Sequence, residues 1–350
     1  MTEKPQKRYI LSHMTNSNNN SELYEDSIRE AKEAAAVFFR SERVDFLQIS
    51  SSLHPEAKSA IVVHKPSRPS PMLLFTHGWH MSVQRPAEDT ENPYPGFLSV
   101  QVDMRGRAFS AGQPDANGFE LYDVYDALQF ARNEYADLIV DPERVYFVGG
   151  SGGGSNALGL AGKFPDLFVS ITANFGISDY ADWYERDAVG EFRDELNPWV
   201  GCSPEQNRMA YASRSGITTV DNLLSPVYMA HGELDPRVPV SQSRVYYEKA
   251  LSLGKTAHYL ELAGVGDRSH LGKITDKQSA SFAAFCDRAL VDHQAPPVLP
   301  QSGELVVAGY LVTKHFTVFL DSIDHVARIR YDLDLREVDF VDGAGVISWR

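Results

Sequence analysis

Cysteine is nearly absent from this chain of 350 residues: Cys202 and Cys286 stand far apart, neither beside a second thiol nor within a metal-like cluster. Both read as reduced bystanders rather than a disulfide. No run approaches the roughly 18 apolar residues of a membrane span. The opening MTEKPQKRYILSHMTNSNNN has basic residues but lacks the apolar centre of a signal peptide. A cytoplasmic protein with no membrane partner is expected. Positive charge is also scarce, with 33 Lys and Arg against 47 Asp and Glu and a formal charge of -14. Such a field repels phosphate backbones, so no nucleic-acid partner is expected. H-E-x-x-H, C-x-x-C and a phosphate loop ending in G-K-[ST] are missing, and His77 with His80 is a pair without further ligands. The expectation is chemistry with no metal and no cofactor.

What is present describes a globular chain, with 43% apolar and 23% charged residues. Its length suits one large or two modest domains. Residues 1–20, polar and asparagine-rich, read as a disordered leader. An amphipathic helix is expected within 21–43, where Leu23, Ile28, Ala31, Ala35 and Phe38 fall near helical spacing. Strand-like runs follow at 44–50, 59–65, 72–78 and 97–103, the first two as antiparallel neighbours. Helices at 121–135, from about 153, at 242–253 and at 276–290 then alternate with strands at 144–150, 168–175, 226–232 and 257–264. That alternation predicts an α/β fold, a mostly parallel sheet flanked by helices over 44–292. Residues 180–225 carry Trp183, Tyr184, Phe192, Trp199 and Tyr211 in too much chain for a crossover, and read as a cap insertion. A proline-rich linker at 293–303 leads to a small β-rich extension at 304–350. There Ile329, Tyr331, Leu333 and Leu335 alternate with charged residues, as in a strand with one buried face. The extension is expected to pack on its own chain, a homo-oligomer through it being the alternative.

The chemistry centres on RVYFVGGSGGGSNALGLAGKF, where Ser151 follows a strand and opens a helix among Gly149, Gly150, Gly152, Gly153 and Gly154. A nucleophile on so tight a turn needs small neighbours, and it faces helix N–H groups that favour negative charge. Gly152, Gly154 and Ala157 also fit a dinucleotide pattern with Asp179 as its acid, a weaker reading in mid-chain. Partners for the serine lie downstream in the order acid, histidine: Asp235 in HGELDPRVP and His270 in GVGDRSHLG. A serine hydroxyl needs a neutral imidazole as base, and the imidazole needs a carboxylate to fix its tautomer. Glu233 and Asp179 are rival acids. His77 and His231 read as structural hydrogen-bonders, and Asp267 as a turn cap. For the oxyanion, the N–H groups of Trp79, in FTHGWH, and of Gly152 are the candidate donors.

On HGW at 77–79, VDMRGRAFSAGQPD at 102–115, GGSGGG at 149–154, HGELDPRVP at 231–239 and the histidine loop at 264–272, the chain resembles the α/β-hydrolase superfamily. Within it the resemblance is to prolyl oligopeptidase-like serine hydrolases, from about Val44 to Leu290. It implies Ser151 as nucleophile, Asp235 as acid, His270 as base and Trp79 with Gly152 at the oxyanion hole. Two departures stand out. No β-propeller is expected ahead of the first strand, and Gly152 stands where relatives often carry Tyr, Asn or Gln. Relatives without the propeller include many esterases, some acting on acylated carbohydrates. The expectation is a serine hydrolase cleaving a carboxylic ester through an acyl-enzyme. A peptidase on short peptides and a non-catalytic binding module are the alternatives. Trp183, Tyr184 and Trp199 of the cap are the candidate substrate-binding residues, with anchoring of the insertion as the plainer role.

Overall fold

The computed structural model describes residues 26–187 and 190–350. The expected leader and the start of the first helix lie outside the described residues. Helix α1 spans Asp26–Ala34. It stops short of the expected 43 because Phe38 and Phe39 pack on Phe46, with ring centroids 4.8 and 6.4 Å away. That packing draws the chain into strand β1, Phe39–Arg40.

The elements then run β2 (Val44–Ser50), β3 (Lys58–His64), β4 (Met72–Phe75), β5 (Leu98–Val102), α2 (Glu120–Glu134), β6 (Val145–Gly150), α3 (Gly152–Lys163) and β7 (Ser170–Asn174). After α4 (Tyr180–Arg186), α5 (Arg193–Val200) and α6 (Arg208–Ala212) come β8 (Val227–Gly232), α7 (Ser241–Ser252), β9 (Ala257–Leu262) and α8 (Asp276–Val291). The described residues form a nine-stranded sheet in the order β1-β2-β3-β5-β4-β6-β7-β8-β9. Pairing is antiparallel up to β3 with β5 and parallel from β5 onward.

Strand periodicity of two explains why this sheet needs cover on both faces. Met72 and Leu74 of β4 join Val145 and Phe147 of β6 in a core shared with α2 and α3. Leu73, Phe75, Tyr146 and Val148 point the other way, toward Leu290 of α8. This is the α/β-hydrolase fold. Its strand order reverses at β4, so the loops after β4 and β6 leave the sheet side by side, where α/β sheets open a crevice.

Three short helices, α4 to α6, and a 3₁₀ turn at Gly216–Asn222 make up most of the interval 180–225. Beyond residue 300, strands β10 (Ser302–Ala308), β11 (Tyr310–Val312), β12 (Phe316–Leu320), β13 (Val326–Asp332), β14 (Glu337–Phe340) and β15 (Gly345–Trp349) form a second sheet, antiparallel throughout. Ala327, Ile329 and Tyr331 enter its core while Arg328 and Arg330 face solvent. Leu335 does not continue the pattern: β13 ends at Asp332, and Leu335 is 66% exposed in the following turn.

This second sheet is seated on the first. Tyr310 and Val312 enter the main core, and the Tyr310 hydroxyl donates to the Gly118 carbonyl at 3.0 Å. Asn222 pairs with Val306 through both backbone groups, at 2.7 and 2.8 Å. The buried Lys163 ammonium donates to the Ala308 carbonyl and lies 4.5 Å from the Tyr310 ring centroid. Burial, aided by the charge of Arg214, pushes that ammonium down to about 7. A chain ending at Pro300 should therefore expose apolar surface and strand buried polar groups. Light scattering is expected to show aggregates or altered mass; an unchanged monodisperse species with unchanged melting temperature would contradict this.

Candidate active site

Ser151 sits between β6 and α3 with φ 56° and ψ -123°, a backbone state that side-chain-bearing residues rarely adopt. Its N–H donates to Asn174 O at 3.0 Å, and its carbonyl accepts from Ser155 N at 3.0 Å. The turn is locked by close approaches. A Cβ on Gly154 would lie 2.5 Å from Asn174 O, and one on Gly152 would lie 2.4 Å from Trp79 N. The glycines that match a dinucleotide pattern are thus filled by the protein's own backbone. Asp179, the acid of that pattern, instead caps α4 by accepting from Ala181 N and Asp182 N at 2.9 and 3.2 Å.

The loop after β8 carries Asp235 and the loop after β9 carries His270. His270 Nδ1 lies 2.6 Å from Asp235 Oδ2. The other carboxylate oxygen accepts from Arg237 N at 2.9 Å and Val238 N at 3.0 Å. His231 Nε2 stands 3.5 Å from Oδ2, and donates to the Val238 carbonyl at 2.8 Å. Burial alone would raise the Asp235 carboxyl, but hydrogen bonds and charge from His231 and His270 hold it well below the usual carboxylate range. Phe175 stacks on the His270 ring, with centroids 4.8 Å apart and planes 11° apart. Glu233, the nearer rival acid, accepts from Gly264 N at 2.8 Å and ties two loops together. Asp267 caps a turn through Ser269 N at 2.7 Å.

The loop after β4 brings Trp79 against Gly152. His77 shapes it: Nε2 accepts from Met104 N at 3.1 Å, so Nδ1 carries the proton and donates to Gly78 O at 2.9 Å. Burial pushes His77 down to about 4, with the Arg107 charge adding to the effect and Asp103 opposing it. Asp103 accepts from Ser82, Val83, Phe109 and Ser110, which fixes the DMRGRAFSAG segment in place.

Ser151, His270, Trp79 and Trp183 line one cavity of about 1280 Å³. Phe75, Tyr94 and Phe192 give it apolar wall, and Arg237, Glu191 and Glu195 give it charge. Of the three expected cap residues only Trp183 lines it. Tyr184 is turned away, hydrogen-bonded to Asn197 at 3.1 Å and packed on Tyr211. Trp199 lies behind Trp79, its ring centroid 4.8 Å away, with the Arg107 guanidinium 4.5 Å from its own centroid. Glu195 and Phe175 belong to no spaced motif and are brought to the site by folding, while His80 in FTHGWH and Arg237 in HGELDPRVP lie within motifs that do not show what their side chains bind. Among the described residues no group of three or more His, Cys, Asp or Glu is placed to hold a metal ion, and no helix is long and apolar enough to cross a membrane.

A serine at a helix start, an imidazole tied to a carboxylate and backbone amides beside one cavity are the parts that a serine hydrolase of this fold uses. The chain belongs to the prolyl oligopeptidase family, whose model matches residues 95–292. It is 27% identical over 192 residues to dipeptidyl peptidase family member 6 of Caenorhabditis elegans, an alignment covering 51% of this chain and 25% of that protein. It is 25% identical over 184 residues to the uncharacterized peptidase YtmA of Bacillus subtilis, covering 52% and 70%. To the esterase LipC of Mycobacterium tuberculosis it is 25% identical over 244 residues, covering 64% and 59%. The acylaminoacyl peptidase of Pyrococcus horikoshii shares the fold, with TM-score 0.60 and 17% identity over 73% of this chain and 43% of that one. The chain thus spans a quarter of the nematode relative and under half of that solved structure.

Two outcomes follow from the geometry. The His77 imidazole should stay neutral down to about pH 4 in NMR titration, where a midpoint near 6.5 would place it in water. Gly152→Ala, which at an open helix start would stabilise by about 0.5–1 kcal/mol, should instead lower the melting temperature, because the Trp79 backbone must move.

Proposed function

We propose that this protein is a serine esterase working through an acyl-enzyme, with Ser151, His270 and Asp235 as its triad. The observation that carries the reading is the 2.6 Å bond between His270 Nδ1 and Asp235 Oδ2 at the cavity that Ser151 also lines. With Nδ1 as donor, Nε2 is left as the base that takes the Ser151 proton. The Asp235 carboxylate stays ionised and stabilises the imidazolium formed in that step. Attack on the ester carbonyl places an oxyanion at the start of α3, where the N–H groups of Gly152 and Trp79 serve as donors and the helix dipole favours negative charge. Collapse expels the alcohol with the proton from His270, and water then repeats the sequence to free the acid.

Ester rather than peptide cleavage is supported by the aromatic side chains in the wall, Phe75, Tyr94, Trp183 and Phe192 among them, and by the alignment with LipC, which at 244 residues is longer than those with the two peptidases. A peptidase acting on small substrates is the second reading, favoured by the charged groups Arg237 and Glu191 in the cavity and by the likeness to YtmA. Short p-nitrophenyl esters, aminoacyl p-nitroanilides and acetylated sugars separate the two. Turnover of esters alone is expected; faster turnover of the anilides would transfer the assignment to a peptidase.

A fluorophosphonate probe should label Ser151, and Ser151→Ala should lower kcat by about 10⁴- to 10⁶-fold with the fold intact. Asp235→Asn should cost on the order of 10⁴-fold through a misoriented imidazole. Asp179→Asn, at a helix cap, should leave activity near wild type and shift stability by at most about 1 kcal/mol. Labelling elsewhere, or a silent Asp235→Asn, would overturn the assignment.

A further inference from the structure

The loop that carries the Trp79 amide is held from outside the sheet as well as from within it. Trp79 Nε1 donates to Glu195 Oε2 at 2.5 Å, and His80 Nε2 lies 3.0 Å from the same oxygen. His80 Nδ1 faces the Arg237 guanidinium at 2.9 Å, so Nδ1 accepts and the proton sits on Nε2, pointing at Glu195. Glu195 lies in the first turn of α5, where the helix dipole favours a carboxylate, and its side chain is 22% exposed. One turn further along the same face, Trp199 lies against the Trp79 ring, with planes 31° apart and centroids 4.8 Å apart. Helix α5 of the cap therefore grips one indole by its edge and by its plane.

The grip continues to the acid loop. The Arg237 guanidinium bonds Glu191 Oε1 at 2.6 Å, and the Arg237 carbonyl accepts from Trp183 Nε1 at 2.8 Å. Arg237 is also the residue whose N–H binds Asp235 Oδ1 at 2.9 Å. The cap is thus fastened to the two loops that carry the Trp79 amide and the Asp235 carboxylate.

We infer that Glu195 is a positioning residue: by binding the Trp79 indole and His80 together, it sets the oxyanion loop in its working place and makes that geometry depend on a seated cap. This rests on the esterase reading, since only a turnover that builds an oxyanion would register it. A carboxylate accepting two N–H groups at once makes stronger bonds than a neutral acceptor, and releasing it frees the loop to move. Displacing a catalytic group by about 1 Å can cost up to about 100-fold, and the backbone here stays partly held by His77 and Gly152.

The effect belongs in kcat, because the indole N–H is engaged inside the protein and the donor acts on the transition state. Glu195→Ala should lower kcat about 10-fold on a p-nitrophenyl ester and leave KM within about twofold. Glu195→Gln, whose amide oxygen still accepts from Trp79, should recover most of that loss. Trp79→Phe should also lower kcat, and adding it to Glu195→Ala should cost little more, since both remove the bond between Trp79 and Glu195. Fluorophosphonate labelling of Ser151 is measured in each protein. If Ser151 is not labelled in the wild type, the triad reading and this inference both fall. If it is labelled and Glu195→Ala keeps the wild-type kcat, or raises KM alone, the triad stands and the positioning role is overturned. Equal loss in Glu195→Gln and Glu195→Ala, or fully multiplicative effects of Trp79→Phe and Glu195→Ala, would also overturn it.

Discussion

The strained turn at Ser151 constrains everything built around it. A serine at φ 56° costs on the order of 1–3 kcal/mol and persists only where its surroundings allow no alternative. Those surroundings are a strand paired on both sides, a following helix whose every residue is buried, and glycines that admit the backbones of Asn174 and Trp79. A helix that begins in so confined a space must be small: Gly159 and Gly162 continue the pattern, against Leu121 and Thr219. The turn thus dictates the composition of α3 and, through it, how closely α2 and the Gly216–Asn222 turn can approach.

Parallel strands do the remaining work of assembly. Because β4, β6, β8 and β9 run in one direction, the loops that follow them emerge along one edge of the sheet. Trp79, Ser151, Asp235 and His270 each occupy such a loop; Trp79, Ser151 and His270, far apart in sequence, line one cavity, and Asp235 bonds to His270. The antiparallel sheet from Ser302 onward is joined to this body by buried polar pairs, Asn222 with Val306 and Lys163 with Ala308. Such pairs stabilise little compared with apolar packing, yet they penalise any other seating of the sheet, because each would leave a polar group buried alone.

Much of this is legible in the sequence, for physical reasons. Runs such as MLLF and VYFV must be buried on both faces, and five glycines packed around one serine at a strand end mark a turn too tight for larger side chains. The end of α1 is not legible, because helical spacing through Phe38 looks the same whether Phe38 faces a helix partner or packs on Phe46. Alternation alone extends the strand to Leu335, although the chain turns after Asp332. In the cap, aromatic composition does not separate wall from support: Trp183 lines the cavity while Trp199, its neighbour in the cluster, backs Trp79. Glu195 carries no sequence signal, and its bonds to Trp79 and His80 arise only when α5 folds over the loop after β4.

The claim that Ser151, Trp79 and Gly152 surround one reacting carbonyl is tested most directly by the crystal structure of the protein inactivated with a small fluorophosphonate. The account predicts phosphorus bonded to Ser151 Oγ and a phosphonyl oxygen about 2.7–3.1 Å from the backbone nitrogens of both Trp79 and Gly152. A phosphonyl oxygen pointing into solvent, with neither amide in reach, would contradict it.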